Sequence, residues 1–292
     1  MNPITVLSLF DGMSCGRLAL QRANIPVSQY FASEIDKHAI KVTQTNFPNT
    51  VQLGDVRNVS TNELPKIDLL LAGSPCQGFS FSGKQLNFED PRSKLFFEFV
   101  RVLNEIRETN PNVLFLLENV KMKKEYRDII SSHVGVEPIE IDSALVSAQT
   151  RKRLYWTNIP NVTRPEDKEI VLADVLCNED ADFIWLPDSK LNNLELKKNY
   201  VQYDVSGKGY GSQDQRAYYP QKKHGSLVAG CSNKNKVYLT GRVRKLNRNE
   251  CERLQTVPDN YTSSVSVPQG KSMLGNGWTV DVIAHILKGI KG

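Results

Sequence analysis

Cysteine is scarce in this chain, with five in 292 residues, and Cys15, Cys76, Cys177, Cys231 and Cys251 are too scattered for a disulfide scaffold. No two stand in C-x-x-C spacing, so no metal site is expected. Few cysteines without a framework suit a reducing cytosol. Long apolar runs are also missing. The longest, Ile67 to Gly73 and Val113 to Leu117, fall well short of the ~20 residues needed to cross a bilayer. The opening MNPITVLSLF has no basic stretch before its apolar run, so no signal peptide is expected. Glycine and proline, 18 and 14 residues, stay near the roughly 12% usual for globular chains, which argues against disordered and collagen-like architectures. There is no internal repeat and no low-complexity tract. The G-x-G-x-x-G fingerprint is absent, which weakens a nicotinamide-dependent oxidoreductase as a reading.

What is present is an ordinary globular composition, 40% apolar and 24% charged, at a length that suits one large domain or two smaller ones. The net charge of +5 is unevenly spread. Between Lys190 and Arg253, fourteen lysines and arginines face five acidic residues, so the rest of the chain is net acidic. Such asymmetry suits a polyanionic partner such as nucleic acid; a solvated basic face has the same composition.

The first 160 residues alternate β-rich runs with amphipathic stretches. Strands are predicted at Ile4–Phe10, Gln29–Ile35, Ile67–Ala72, Val113–Glu118, Ile139–Val146 and Leu154–Asn158, and helices at Gly16–Ala23, Lys37–Asn46 and Lys94–Thr109. The runs LLLAG and LFLLEN are apolar without alternation, as in strands covered on both faces. This predicts an α/β fold, a doubly wound and mostly parallel sheet. After Pro160 the texture turns shorter, more polar and richer in Gly, Asn and Lys. Helical texture returns at Leu246–Gln255 and Thr279–Ile290. The expected organisation is a larger α/β domain, 1–160 plus 270–292, carrying an inserted smaller domain, 161–269, that holds the basic segment, with 244–258 at the boundary.

In doubly wound sheets ligands bind beyond the carboxyl ends of the strands, so the polar residues there are the candidates. The first run ends in Phe10-Asp11-Gly12-Met13-Ser14-Cys15-Gly16, small residues that let backbone approach a ligand at a helix N-terminus. The second ends in Glu34-Ile35-Asp36, where a carboxylate is placed to accept from ribose hydroxyls. Asp55, after another short β-like run, is placed either to accept from an adenine amino group or to close a turn. Ser74-Pro75-Cys76-Gln77 puts a thiol in a rigid turn, as a soft nucleophile or an inert cysteine. Glu118, in Glu118-Asn119-Val120, is costly to bury without a partner or a role.

Together these pieces resemble the cytosine-5 DNA methyltransferase family. PCQGFS at 75–80 resembles its nucleophile loop, ENV at 118–120 its carboxylate motif, and QTRKR at 149–153 its Q-x-R-x-R. RKLNRNECERLQTVP at 244–258 and GNGWTV at 275–280 resemble its last two motifs, in family order across nearly the whole chain. Ser14 and Cys15 stand where many members have glycines, and Trp278 where a small aliphatic residue is common; both features are similar to the animal de novo DNA methyltransferases. A bacterial or phage enzyme is expected.

The resemblance implies a Rossmann-like class I methyltransferase fold and methyl transfer from S-adenosyl-L-methionine to carbon 5 of cytosine in duplex DNA at a short recognition sequence. Cys76 would add to ring carbon 6. Glu118, as a protonated or shared-proton carboxyl, would bond ring nitrogen 3 and the amino group, while Arg151 and Arg153 would hold the base carbonyl and nearby backbone. The cofactor would meet Phe10, Asp11, Gly12, Met13, Ser14, Glu34, Ile35, Asp55, Val56, Pro75, Leu95, Asn276 and Trp278. The base would be flipped from the duplex. The inserted domain reads as the target-recognition region, with Gln77, Ser80, Gln213, Gln215, Arg216, Asn233, Arg242 and Arg244 as candidate DNA contacts. The expected partner is double-stranded DNA, with a cognate restriction endonuclease as a further candidate; a cytoplasmic or nucleoid-associated monomer without a membrane is expected. Cytosine methylation of transfer RNA is the rival within enzymes, although the Cys-Phe-Thr signature of that subgroup is absent. A catalytically silent DNA-binding relative is the rival of another class.

Overall fold

The computed structural model describes residues 1–74, 94–178, 183–187, 191–204, 215–229 and 234–291. Their contacts divide into two compact units, Met1–Asp142 with Lys152–Arg164 and Val280–Gly292, and Ser143–Arg151 with Pro165–Thr279.

The first unit is built on seven strands: β1 (Ile4–Leu9), β2 (Val27–Ser33), β3 (Val51–Gln52), β4 (Leu69–Gly73), β5 (Leu114–Val120), β6 (Ile139–Asp142) and β7 (Lys152–Thr157), in spatial order β3-β2-β1-β4-β5-β7-β6. Pairings from β3 through β5 are all parallel, and β7 runs antiparallel to both its neighbours. The α/β, mostly parallel sheet expected from sequence is therefore present. The antiparallel strand has a topological cause: only nine residues join β6 to β7, too few for the crossover that a parallel neighbour requires. The chain runs outward from β1 to β3 and then returns to β4 on β1's other side, so the strand order reverses between β1 and β4. That reversal is where open α/β sheets bind ligands.

Residues of both parities in the central strands are fully buried, Val6 and Leu71 as well as Leu7 and Leu70. This explains the missing alternation. One face packs Leu7, Leu9, Leu70, Phe115 and Leu117 against α3 (Lys94–Thr109) and α4 (Lys124–Val134). In α3 the buried Phe96, Phe99, Val102, Leu103 and Ile106 recur at helical spacing, a stripe facing the sheet. Helix α1 (Cys15–Arg22) packs on α7 (Val280–Leu287), and Arg22 Nη1 meets Asp281 Oδ1 at 2.5 Å. Helix α2 (Lys37–Asn46) is N-capped by Asp36, whose Oδ1 accepts from the His38 N–H at 2.8 Å.

The second unit holds a five-stranded sheet in the order β12-β11-β10-β9-β8, with β8 (Asn192–Leu196), β9 (Tyr200–Asp204), β10 (Arg216–Tyr218), β11 (Lys236–Leu239) and β12 (Arg242–Lys245). Helices α5 (Arg248–Leu254) and α6 (Val267–Asn276) belong to the same unit. Helix α5 begins with a capping box in which Glu250 N–H donates to Asn247 Oδ1 and Asn247 N–H to Glu250 Oε2, both at 2.8 Å.

Three local expectations change. The strand predicted over Ile139–Val146 stops at Asp142, and Ser143–Leu145 forms a single 3₁₀ turn. Helices α4 and α6 were not predicted. The contact boundary also differs from the one drawn at 161 and 269, because 143–151 and 270–279 pack with the second unit.

Candidate active site

The loop from β1 to α1 holds three left-handed residues at alternate positions, Phe10, Gly12 and Ser14, with φ of 56°, 59° and 59°. Only glycine takes that conformation without cost, so the other two need fixing by their surroundings. Tyr30 Oη donates to Asp11 Oδ1 at 2.7 Å, and the Ser14 hydroxyl donates to Asp11 Oδ2. Ser14 Oγ also lies 3.0 Å from Thr43 Oγ1. Burial raises the Asp11 carboxyl to about 6, against the opposing effect of the Ser14, Ser8 and Tyr30 hydroxyls. Burial, with the Asp11 charge beside it, also pushes the Tyr30 phenol well above its ordinary range. Asp11, Met13 and Ser14, three of the expected cofactor contacts, are all buried, and the Asp11 and Ser14 side chains are hydrogen-bonded to each other and to Tyr30 and Thr43.

Gly12 N–H donates to Glu34 Oε2 at 2.8 Å, while Glu34 Oε1 accepts from the N–H groups of Ile35 and Asp36 at 2.7 and 2.8 Å. One carboxylate thus joins the ends of β1 and β2. Beside it Ile35 is 73% exposed. An isolated exposed isoleucine needs no explanation, but this one stands at a strand's carboxyl end next to a carboxylate, where a flat apolar ligand face would cover it. Asp55 is held at about 2 by its hydrogen bonds to the Arg57 guanidinium and N–H. Val56 is buried, and Phe10 and Leu95 pack partly buried against the main core.

Beyond the strand-order reversal, β5 ends in Glu118, Asn119 and Val120. Arg153, on β7, places its Nε 3.0 Å from Glu118 Oε1, with both side chains mostly but not fully buried. Asn119 Nδ2 donates to Ser74 Oγ at 3.0 Å, tying the end of β5 to the residue following β4. Cys76, Pro75, Gln77 and Ser80 lie outside the described residues, as do Gln213 and Asn233.

Arg151 and Arg153 are separated by the structure. Arg151 is 4% exposed, and its guanidinium donates to Ser226, Leu227, Gly275 and Gly277, all in the second unit. The Arg151 guanidinium is thus occupied within its own unit, whereas Arg153 stands beside Glu118. Asn276 is exposed at the end of α6, and Trp278 is half-buried two residues on.

Among the expected DNA contacts, Arg244 is corrected. It is 1% exposed, with Nη1 and Nη2 on Glu250 Oε2 and Oε1 at 2.8 and 2.7 Å and its guanidinium 3.9 Å from the Phe183 ring centroid. A charge so enclosed has no face left for a phosphate. Gln215 is buried, and Arg216 is half-buried with its guanidinium 4.9 Å from the Tyr200 ring. Arg242 remains exposed, over the Trp185 ring at 4.5 Å.

Sequence reasoning passed over Tyr30, Ser74, Asn119, Gln149 and Gln255. Tyr30 carried a readable signal, since a tyrosine in the middle of a buried strand needs a partner for its hydroxyl. Among the described residues no cluster of three or more His, Cys, Asp or Glu is arranged to hold a metal, and no helix is long and apolar enough to cross a membrane.

The chain is 29% identical to the type II methyltransferase M.HhaI of Haemophilus parahaemolyticus, over 96% of this chain and 92% of that protein. It is 40% identical to M.NgoBV of Neisseria gonorrhoeae, over 74% of this chain and 60% of that one. Among solved structures, a DNA modification methyltransferase encoded within an E. coli prophage superposes with a TM-score of 0.71 at 21% identity, covering 99% of this chain and 98% of the other. Entamoeba histolytica methyltransferase EhMeth gives 0.72 at 16% identity, with coverages of 99% and 98%. The C-5 cytosine-specific DNA methylase family matches residues 4–129 and 147–292, and the chain belongs to that family.

Proposed function

We propose that this chain transfers a methyl group from S-adenosyl-L-methionine to carbon 5 of cytosine in duplex DNA, at a short recognition sequence, through a covalent Cys76 adduct on a flipped base. The observation that carries the proposal is the Glu118–Arg153 pair, 3.0 Å apart at the end of β5, one strand from the segment that leads to Cys76. A carboxyl and a guanidinium side by side match the polar edge of cytosine, with its ring nitrogen, amino group and carbonyl.

The residues at the ends of β1 and β2 suit the cofactor. Gly12 leaves open the space a side chain would fill, the Glu34 carboxylate is the acceptor type that ribose hydroxyls require, and Ile35 offers an exposed apolar face to a purine. When bound, S-adenosyl-L-methionine supplies an electrophilic methyl on a sulfonium. The Cys76 thiolate forms a bond to ring carbon 6, and the electron pair of the 5,6 double bond becomes available at carbon 5. Glu118 stabilises the charge displaced toward ring nitrogen 3, and Arg153 holds the carbonyl. Carbon 5, made nucleophilic in this way, would take the methyl that the cofactor supplies, the departing thioether keeping the sulfur–carbon electron pair. Loss of the carbon 5 proton to a base then expels the thiolate and restores the double bond. Flipping the cytosine costs a few kcal/mol, which contacts from the basic Lys190–Arg253 segment of the second unit offset. That unit is the target-recognition region in this reading, its exposed Arg242 a phosphate contact and the chain a monomer acting on DNA in the cytoplasm.

Incubation with duplex DNA and methyl-labelled cofactor, followed by digestion to nucleosides, tests this. The label is expected in 5-methylcytosine, and bisulfite sequencing of DNA from expressing cells would give the flanking sequence. Label in transfer RNA alone would replace the substrate, and no label in either would favour a silent DNA-binding relative.

A further inference from the structure

A helix leaves its last carbonyls without partners of its own, and a buried helix end must find donors elsewhere. Helix α6 closes on Leu274, Gly275 and Asn276, and its donors come from distant parts of the chain. Gln255 Nε2 donates to Leu274 O at 2.6 Å and to Gly277 O at 3.1 Å. Arg151 Nη2 donates to Gly275 O at 3.1 Å and to Gly277 O at 3.0 Å, and its Nη1 to Ser226 Oγ and Leu227 O at 3.0 and 3.3 Å. All four N–H bonds of these two nitrogens are accounted for. A cation also suits this end of the helix dipole.

Gln255 is itself fixed. Its Oε1 accepts from Gln149 Nε2 at 2.9 Å and from Thr279 Oγ1 at 2.8 Å, and Thr279 Oγ1 in turn accepts from Ser143 Oγ at 2.8 Å. Gln149 Nε2 spends its other hydrogen on Leu254 O at 2.5 Å, and its Oε1 accepts from Leu227 N–H at 3.1 Å. Ser143, Gln149, Arg151, Gln255 and Thr279 are all buried. Backbone contact tightens the arrangement further, because a Cβ on Gly275 would sit 2.3 Å from the Ala229 nitrogen. A buried polar network with every hydrogen used specifies one geometry. Asn276 and Trp278 ride on the turn it fixes.

We infer that Arg151, Gln149 and Gln255 are positioning residues that shape the Gly275–Trp278 turn for the cofactor, and that Arg151 takes no part in holding DNA. The inference rests on the proposed reading in one respect, the assignment of Asn276 and Trp278 to the cofactor. In that reading two of the family-like motifs, around 149–153 and 244–258, serve the third at 275–280.

The test measures S-adenosylhomocysteine affinity by calorimetry without DNA, and DNA affinity against salt, for Arg151→Lys, Gln255→Glu and Thr279→Val. Val243→Ala, in the core of the second sheet, serves as a control that lowers stability without touching the network. Arg151→Lys and Gln255→Glu are each expected to weaken the cofactor on the order of 10-fold, as misplacement by a remote substitution does, with the salt slope unchanged. Thr279→Val, the mildest change, covers the case in which the other two do not fold and is expected to weaken it by about 3-fold, a fraction of that effect. Val243→Ala is expected to keep wild-type affinity. Wild-type cofactor affinity in any folded network variant would overturn the inference, as would a salt slope reduced by about one in a further variant, Arg151→Met, which removes the charge that Arg151→Lys keeps. If the unaltered chain bound no cofactor, the functional reading would fall first, so the two failures are told apart.

Discussion

Arg153 Nε and Glu118 Oε1 lie 3.0 Å apart across the antiparallel pair of β5 and β7, where Glu118 stands opposite Tyr155 and Arg153 opposite Val120. The contact is therefore a diagonal one between neighbouring strands, set by sheet register rather than by a loop. A pair so placed is presented with little freedom, which is what a site that must match a flat base edge requires.

Glu118→Gln keeps the shape and removes the carboxyl. It is expected to lower kcat by roughly 10²–10³, the usual cost of removing one group that stabilises developing charge. Cofactor affinity, measured by calorimetry, should stay near wild type. Equal losses in both would mean that Glu118 supports the fold of the sheet edge and not the base.

The Asp11 carboxyl is raised by burial from 3.8 to about 6. Between these values the unfolded chain releases its proton first, so this group's contribution is fully present below about 3.8 and is lost as the pH rises through about 6. His224 acts in the opposite sense, lowered by burial from 6.5 to about 4, so its contribution is lost as the pH falls through that range. The measurement is therefore a comparison of wild type with Asp11→Asn in urea at several pH values. The variant is expected to gain on wild type between pH ~4 and ~6 by up to about 3 kcal/mol, and no further above that. A pH-independent difference would contradict the burial of this charge. Tyr30→Phe, which strips a donor from the same carboxylate, should cost about 1–3 kcal/mol at neutral pH.

Arg244 and Glu250 form an ion pair with side-chain exposures of 1% and 0%. Arg244→Ala strands the carboxylate and is expected to cost about 3–5 kcal/mol in urea unfolding. Replacing both partners with apolar residues of similar volume should recover most of that loss. A mild single effect on stability, joined to a large one on DNA binding, would return Arg244 to the DNA surface.

DNA binding through several phosphates weakens steeply with salt, by about 10³ or more between ~50 and ~200 mM when six or more are neutralised. Arg242, exposed on β12, is expected to account for about one unit of the slope when changed to alanine. A flat salt response in the wild type would remove the case for the Lys190–Arg253 segment as a DNA-facing surface.

The first unit was legible because its signals are local. Unbroken apolar runs mark its central strands, and turn residues at their ends place Gly12, Glu34 and Glu118 where the reading expected them. Helix α4 escaped because its buried stripe, Tyr126, Ile130 and Val134, is thin and sits among lysines and acids. Arg151 and Arg153 look equivalent in QTRKR, but β7 begins at Lys152, so Arg151 lies outside the two-residue period that would put both on one face. Its partners lie 75 to 126 residues away, beyond any local pattern. Arg244 misled for a related reason: it stands in the basic Lys190–Arg253 segment and reads as a DNA contact, whereas its buried partner Glu250 also belongs to the capping box of α5.

The central claim is a bond between the Cys76 sulfur and carbon 6 of an extruded cytosine. Duplex DNA carrying 5-fluorocytosine at the target position blocks the final elimination, because fluorine does not leave as a proton does. With S-adenosyl-L-methionine present, the account predicts a denaturation-resistant protein–DNA complex whose mass includes one added methyl and whose cross-linked peptide contains Cys76, with none formed by Cys76→Ala. An active chain that formed no such complex, or that attached through another residue, would contradict it.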